Sequence, residues 1–173
     1  RMNEQLQNEG AMSLVTGASS GIGLAYAREL ARRGYDLLLV SNEQEQIGTV
    51  AEELAAAFGV KTIPLCMDLA RSEAARELYE YCEREKLQIG ILVNNAGIFF
   101  FDDLTEVAPE RIETMLLLHI RTVTLLCRYF GAAMKRRRAG YILNMSSLSA
   151  WTPAPGISVY AASKSYIRKF SQM

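Results

Sequence analysis

Metal ligands and cysteine chemistry are what this chain has least of: one histidine and three cysteines in 173 residues. Cys66, Cys82 and Cys127 are odd in number and far apart, with no CxxC pair. A zinc cluster or a disulfide framework needs more ligands at closer spacing, so neither is expected, and no metal is assigned. The thiols read as free, and as buried or half-buried in a reducing cytosol, which makes the expected location cytoplasmic. Charge of one sign is lacking too, since 19 basic side chains balance 19 acidic ones. Neutrality removes any general electrostatic drive toward nucleic acid or an anionic membrane surface. No apolar run approaches the ~18 residues of a membrane span, and the polar start, Arg1 to Gln5, has no signal-like apolar core. Internal repeats, low-complexity tracts and Gly/Ser linkers are missing as well, so residues 1–173 read as a single domain.

What the chain does have is an alternation of short apolar runs and longer 3.6-period stretches. With half its residues apolar and 22% charged, it has the composition of an ordinary globular protein rather than a disordered one. Strands are expected at 11–16, 36–41, 60–65, 89–94 and 140–146. Several are nearly continuous apolar runs, which suits strands covered on both faces. Helices are expected at 21–33, 43–58, 71–86 and 109–138, with a last one opening near 157. Parallel strands require crossovers, so this alternation implies an α/β fold with a doubly wound parallel sheet between two helical layers. The 109–138 helix carries one broad apolar stripe, read as core, and ends in Lys135-Arg136-Arg137-Arg138. A helix C-terminus favours cations, so that cluster is read as a solvated end rather than a polyanion site.

The first strand runs directly into Thr16-Gly17-Ala18-Ser19-Ser20-Gly21-Ile22-Gly23, where the helical pattern starts. Gly17 lets the chain turn sharply off the strand, Gly21 lets a pyrophosphate approach the backbone, and Gly23 lets helix and sheet lie close. Free amides at a helix start, with its dipole, favour phosphate charge. Placed between a buried strand and an amphipathic helix, the glycines indicate dinucleotide binding. No Lys-Ser/Thr pair follows them, which excludes a Walker loop.

Taken with Asn94-Asn95-Ala96-Gly97 and with Ser147 lying 13 residues before Tyr160-Ala161-Ala162-Ser163-Lys164, the glycine turn resembles the short-chain dehydrogenase/reductase family. The resemblance runs from about residue 10 to the end, and the Gly-xxx-Gly-x-Gly spacing favours the shorter dehydrogenase branch over extended epimerases. It implies a Rossmann-like domain that binds NAD or NADP. Gly17, Ser19, Ser20, Gly21, Ile22 and Gly23 would meet ribose and pyrophosphate. Asp68, with Leu69 beside it, would face the adenine, and Asn95, Ala96 and Gly97 would flank the adenosine side. Asp68 also reads as an N-cap of the 71–86 helix, and Asn94 as a buried tie between strands. Cofactor choice is expected at Ser41-Asn42-Glu43: Asn42 stands where phosphate-binding relatives carry Arg, and Glu43 is one place late for the usual acid. On charge grounds this leans slightly away from NADP.

Tyr160 and Lys164 are one helical turn apart and share a face. A free phenol titrates near pH ~10, and an adjacent ammonium favours the phenolate. By the resemblance, Tyr160 is the general acid/base, Lys164 holds the nicotinamide ribose, and Ser147 stabilises charge on the substrate oxygen. Ser146 reads as backbone-facing. His119 occupies the place where many relatives have an Asn that supports a proton relay. It is read either as a satisfied core residue or as a member of that relay. The expected activity is hydride transfer between a nicotinamide cofactor and a secondary alcohol or ketone. The alternative is a dinucleotide-binding sensor without turnover. The Trp151–Pro155 stretch is expected to border the substrate, whose identity stays open among steroids, sugars, acyl thioesters and simple alcohols. The chain stops nine residues after Lys164, so it reads as the N-terminal portion of a longer fold, with a sheet of five strands. Family dimers pair the long helix and the YxxxK helix, and a homo-oligomer, dimer or tetramer, is expected.

Overall fold

The computed structural model describes residues 10–172. Its five strands are β1 (Met12–Thr16), β2 (Leu37–Ser41), β3 (Thr62–Cys66), β4 (Ile89–Asn94) and β5 (Tyr141–Asn144). They pair in parallel in the order β3-β2-β1-β4-β5. The helices are α1 (Gly21–Arg32), α2 (Gln44–Phe58), α3 (Ala74–Arg84), α4 (Pro109–Leu116), α5 (Val123–Arg137) and α6 (Ser158–Phe170). This is the doubly wound, Rossmann-like α/β architecture expected from the sequence.

Alternation along the strands builds two cores. In β1 and β2, Leu14, Leu38 and Val40 point to one face, where they pack with Leu78 of α3 and Leu126 and Phe130 of α5. Val15, Leu37 and Leu39 point to the other, onto Ala27 and Ala31 of α1 and Ile47 and Leu54 of α2. All ten residues of β1 and β2 are buried, which explains their unbroken apolar runs. The helices show the complementary pattern, one apolar stripe each. Pro64 is accommodated because β3 lies at the sheet edge. The winding reverses between β1 and β4, and ligands of open α/β sheets bind beyond the strand ends at such a reversal.

Four local details differ from the sequence expectation. The long helix is not uniform: a π-helical stretch, Leu117–Thr122, separates α4 from α5. The wider turn directs His119 and Thr122 inward, where both are buried. The third helix starts later than residue 71, at Ala74 with Glu73 as its N-cap, so Asp68 is not that cap. In the basic cluster, Lys135, Arg136 and Arg138 are exposed, but Arg137 lies toward the core face and donates from Nη2 to the Ile89 carbonyl at 2.6 Å. Cys66 is exposed, whereas Cys82 is buried and Cys127 half-buried. Burial pushes the Cys82 thiol up to about 12.

One close approach fixes how α1 sits on the sheet. A Cβ on Gly23 would lie 2.0 Å from the Gly17 carbonyl oxygen and 2.5 Å from Asn95 Nδ2. Both neighbours are held in place, so Gly23→Ala is expected to lose at least ~2 kcal/mol of stability in chemical denaturation. An unchanged midpoint would contradict this packing.

Candidate active site

The sheet reversal is closed by a small polar knot. Thr16, the last residue of β1, accepts at Oγ1 from the backbone N–H groups of Asn95 and Ala96, each at 3.0 Å. Asn95 returns the contact, donating from Nδ2 to the carbonyls of Thr16 and Gly17, each at 3.2 Å. Gly17 turns with φ +64°, and a Cβ there would come within 2.9 Å of Ala96 Cα. Asn94, buried at the end of β4, donates to Asn144 Oδ1 of β5 at 2.8 Å. Glycine turn and Asn-Asn-Ala-Gly segment are thereby locked to each other and to the strands beneath.

A cleft of about 370 Å³ opens above this knot. Gly17, Ser19, Ser20 and Ile22 line it from the glycine turn, and Asn42 and Glu43 from the end of β2. Asp68 and Leu69 face it after β3, and Asn95, Ala96 and Gly97 after β4. Ten of the twelve residues expected from the sequence to bind cofactor at these loops therefore share one wall. Gly21 and Gly23 are not among the residues that line it. Gly21 opens α1 with no atom within 4 Å of a notional Cβ, and Gly23 sits beneath the turn. Asp68 accepts at Oδ1 from the Ala70 N–H at 2.9 Å, which fixes its loop.

These residues fit a dinucleotide. No side chain caps the start of α1 and no acid lies in its first turn, so its leading amides and dipole remain for an anion. The cleft has the volume of a small-molecule site. Among the described residues no group of metal-ligating side chains assembles, and no helix is long and apolar enough to cross a membrane.

The catalytic candidates stand on the neighbouring elements. Ser147 follows β5, and its Oγ accepts from the Ser149 N–H at 3.2 Å and from Ser149 Oγ at 2.8 Å. Its neighbour Ser146 turns inward and donates to the Lys164 carbonyl at 2.8 Å. Tyr160 and Lys164 share a face of α6, with Lys164 Nζ 5.7 Å from the Tyr160 ring centroid. Lys164 is buried and donates from Nζ to the Met145 carbonyl at 3.0 Å. That burial pushes its ammonium below the usual lysine range. The Tyr160 ring is held edge-on by Phe99, at 5.0 Å, and by His119, at 5.8 Å.

His119 bridges the loop after β4 and helix α6 through its two ring nitrogens. Nε2 takes the Ile98 N–H at 2.9 Å, and a backbone amide only donates, so this nitrogen is the acceptor. The proton of the neutral ring is then on Nδ1, facing Ser163 Oγ at 2.9 Å. Ser163 in turn donates to the Tyr160 carbonyl at 2.7 Å. Of the two readings open from the sequence, this geometry favours a satisfied interior residue, one that couples the Asn-Asn-Ala-Gly loop to the helix bearing Tyr160. Desolvation, aided by the Lys164 charge, lowers the His119 pKa to about 4.

A family model described as short chain dehydrogenase matches residues 11–173. The chain belongs to the short-chain dehydrogenase family. It is 36% identical over 170 residues to a very-long-chain 3-oxoacyl-CoA reductase of Anas platyrhynchos, covering 94% of this chain and 53% of that one. It is 33% identical over 172 residues to an inactive hydroxysteroid dehydrogenase-like protein 1 of Homo sapiens, covering 96% of this chain and 51% of that one. Among solved structures, a short-chain dehydrogenase from Sphingobium yanoikuyae in complex with NADPH superposes with a TM-score of 0.88 at 34% identity. That match covers 94% of this chain and 63% of the solved one. The chain thus spans about half the length of the curated relatives it matches.

Sequence reasoning passed over Thr16 and Ser163. Ser163 lies three residues after Tyr160, on the same helical face, which was the available signal. Its role as a hydrogen-bond link became visible only once His119 was placed opposite. The bridge has a spectroscopic signature. Nitrogen NMR of His119 is expected to show a neutral ring protonated on Nδ1, titrating near pH 4 rather than 6.5. The unfolded chain binds this proton first, so its contribution to stability is full above pH 6.5 and lost as pH falls toward about 4. A ring protonated on Nε2, or titrating near 6.5, would contradict the bridge.

Proposed function

We propose that the protein is an NAD(P)-dependent oxidoreductase that interconverts a secondary alcohol and a ketone, with Tyr160 as general acid/base. The observation that supports this reading is the pair formed by Tyr160 and Lys164 on one face of α6, with Lys164 Nζ tied to the Met145 carbonyl after β5 and the Tyr160 ring against His119; neither side chain lines the cleft itself. A bound nicotinamide supplies the hydride. The protein supplies position and a proton. Gly17, Ser19, Ile22 and the first amides of α1 hold the phosphates, and the Asn95–Gly97 segment lies along the adenosine side. Tyr160 gives its phenolic proton to the carbonyl oxygen in reduction and takes it back in oxidation. Lys164 favours the phenolate by its charge and reaches toward the ribose, while Ser147 donates a hydrogen bond to the same substrate oxygen.

Phe99, packed edge-on against Tyr160, and Leu148 and Trp151, which follow Ser147 in the chain, are exposed and offer an apolar surface to a substrate. A partly hydrophobic ketone suits it. The same proposal places the protein in the cytosol as a homo-oligomer paired through the long helix and α6, where Leu116 and Tyr166 are exposed. A non-catalytic dinucleotide sensor has no specific observation in its favour, because the Ser, Tyr and Lys side chains are all present.

Tyr160→Phe is expected to lower ketone reduction by ~10²-fold or more while cofactor affinity stays within about twofold. The measurement is reduced-cofactor absorbance with a broad ketone panel, alongside a binding titration. Retained turnover in the variant would defeat the assigned mechanism.

A further inference from the structure

Ser147 caps a single 3-10 turn, Leu148–Ala150, and the chain around it is bound to α6 on both sides. Before it, Ser146 Oγ donates to the Lys164 carbonyl at 2.8 Å. After it, Ser165 Oγ donates to the Ala150 carbonyl at 3.2 Å. The Arg168 guanidinium carbon lies 3.2 Å from the centre of the Trp151 ring, a cation–π contact that holds the far end of the turn. Lys164, Ser165 and Arg168 all belong to α6, the helix of Tyr160. The turn is therefore mounted on that helix rather than hung from β5.

Within the turn, Ser149 reaches back to Ser147. Its backbone N–H, at 3.2 Å, and its hydroxyl, at 2.8 Å, both donate to Ser147 Oγ. A hydroxyl has two acceptor positions and one proton. One residue thus fills both acceptor positions of Ser147, whose own proton has no acceptor among the described residues. Hydrogen bonds in a chain polarise one another, so an oxygen that accepts two becomes a stronger donor. Ser147 is left with one free direction in which to give its proton.

We propose that Ser149 is a positioning residue for the reaction: its hydroxyl occupies Ser147 Oγ and so turns the Ser147 proton outward, toward the substrate oxygen. The inference rests on the oxidoreductase reading, in which Ser147 donates to that oxygen, and adds a residue that acts only through Ser147. Charge grows on the substrate oxygen as hydride arrives, so an oriented donor gains most in the transition state. The effect belongs in kcat more than in KM.

The test is steady-state ketone reduction by the full chain and its variants, with cofactor binding measured alongside. Ser149→Ala keeps the backbone N–H and removes the hydroxyl. Its kcat is expected to fall ~5- to 10-fold, with KM and cofactor affinity within about twofold. Ser149→Thr restores the hydroxyl and should bring kcat back to within about threefold of the unaltered protein. In a Ser147→Ala background, Ser149→Ala should cost less than about a further twofold, because nothing is left for it to position.

An unchanged kcat in Ser149→Ala, with Ser147→Ala slow, would overturn this inference and leave the role of Ser147 standing. A full loss added on top of Ser147→Ala would overturn it too, as would a Ser149→Thr variant as slow as Ser149→Ala, since each marks an effect that does not pass through the Ser147 proton. Full turnover in Ser147→Ala, or none in the unaltered protein, would remove the reading on which the inference rests, and the inference with it.

Discussion

The whole site depends on the contact between Thr16 and Asn95 at the ends of β1 and β4. Parallel strands leave the carbonyls and amides of their last residues unpaired, and in a sheet covered on both faces those groups are costly to bury. Here the Thr16 hydroxyl takes two amides, and the Asn95 side chain satisfies two carbonyls. The solution draws the glycine turn and the Asn-Asn-Ala-Gly loop so close that neither Gly17 nor Gly23 tolerates a Cβ. What remains above them is an open cleft beside the uncapped start of α1. Structural economy in the backbone and readiness for a phosphate ligand have the same origin.

A second constraint positions α6, which carries the proposed acid/base Tyr160. The π-helical turn at Leu117–Thr122 lets His119 reach inward between Ile98 and Ser163, which ties the loop after β4 to the helix holding Tyr160. Lys164 is fixed independently through the Met145 carbonyl, and Ser146 meets its backbone. Several hydrogen bonds, each worth ~1 kcal/mol net, thereby fix the positions of Tyr160 and Lys164. Burial weakens the hold of Lys164 on its proton and keeps His119 neutral, so of these two neighbours of Tyr160 only Lys164 brings positive charge.

The parts of this arrangement that were legible in the sequence are those governed by local pattern. β1 and β2 announced themselves as continuous apolar runs because both faces are covered, and the helices as 3.6-period stripes. The glycine spacing and the Tyr-xxx-Lys turn were readable because each is one local conformation. The π turn was not, since a stripe of leucines around His119 satisfies an α-helix equally well. Arg137 was misjudged because charge composition says nothing of a stem that packs along the core to reach Ile89. A ring of hydrogen bonds through Ser19, Ser41 and Glu43 joins the glycine turn to the end of β2. Only convergence in space brings these three ordinary polar residues together.

The central claim is that one cleft, beyond the ends of β1 and β4, takes a nicotinamide dinucleotide beside Tyr160. Backbone amide NMR during titration with NADH tests it most directly. The account predicts the largest shifts at Gly17, Ser19, Ile22, Asp68 and Ala96, with a second group at Ser147 and Tyr160. Shifts confined to other faces, or reaching the adenosine side without touching Ser147 and Tyr160, would contradict it.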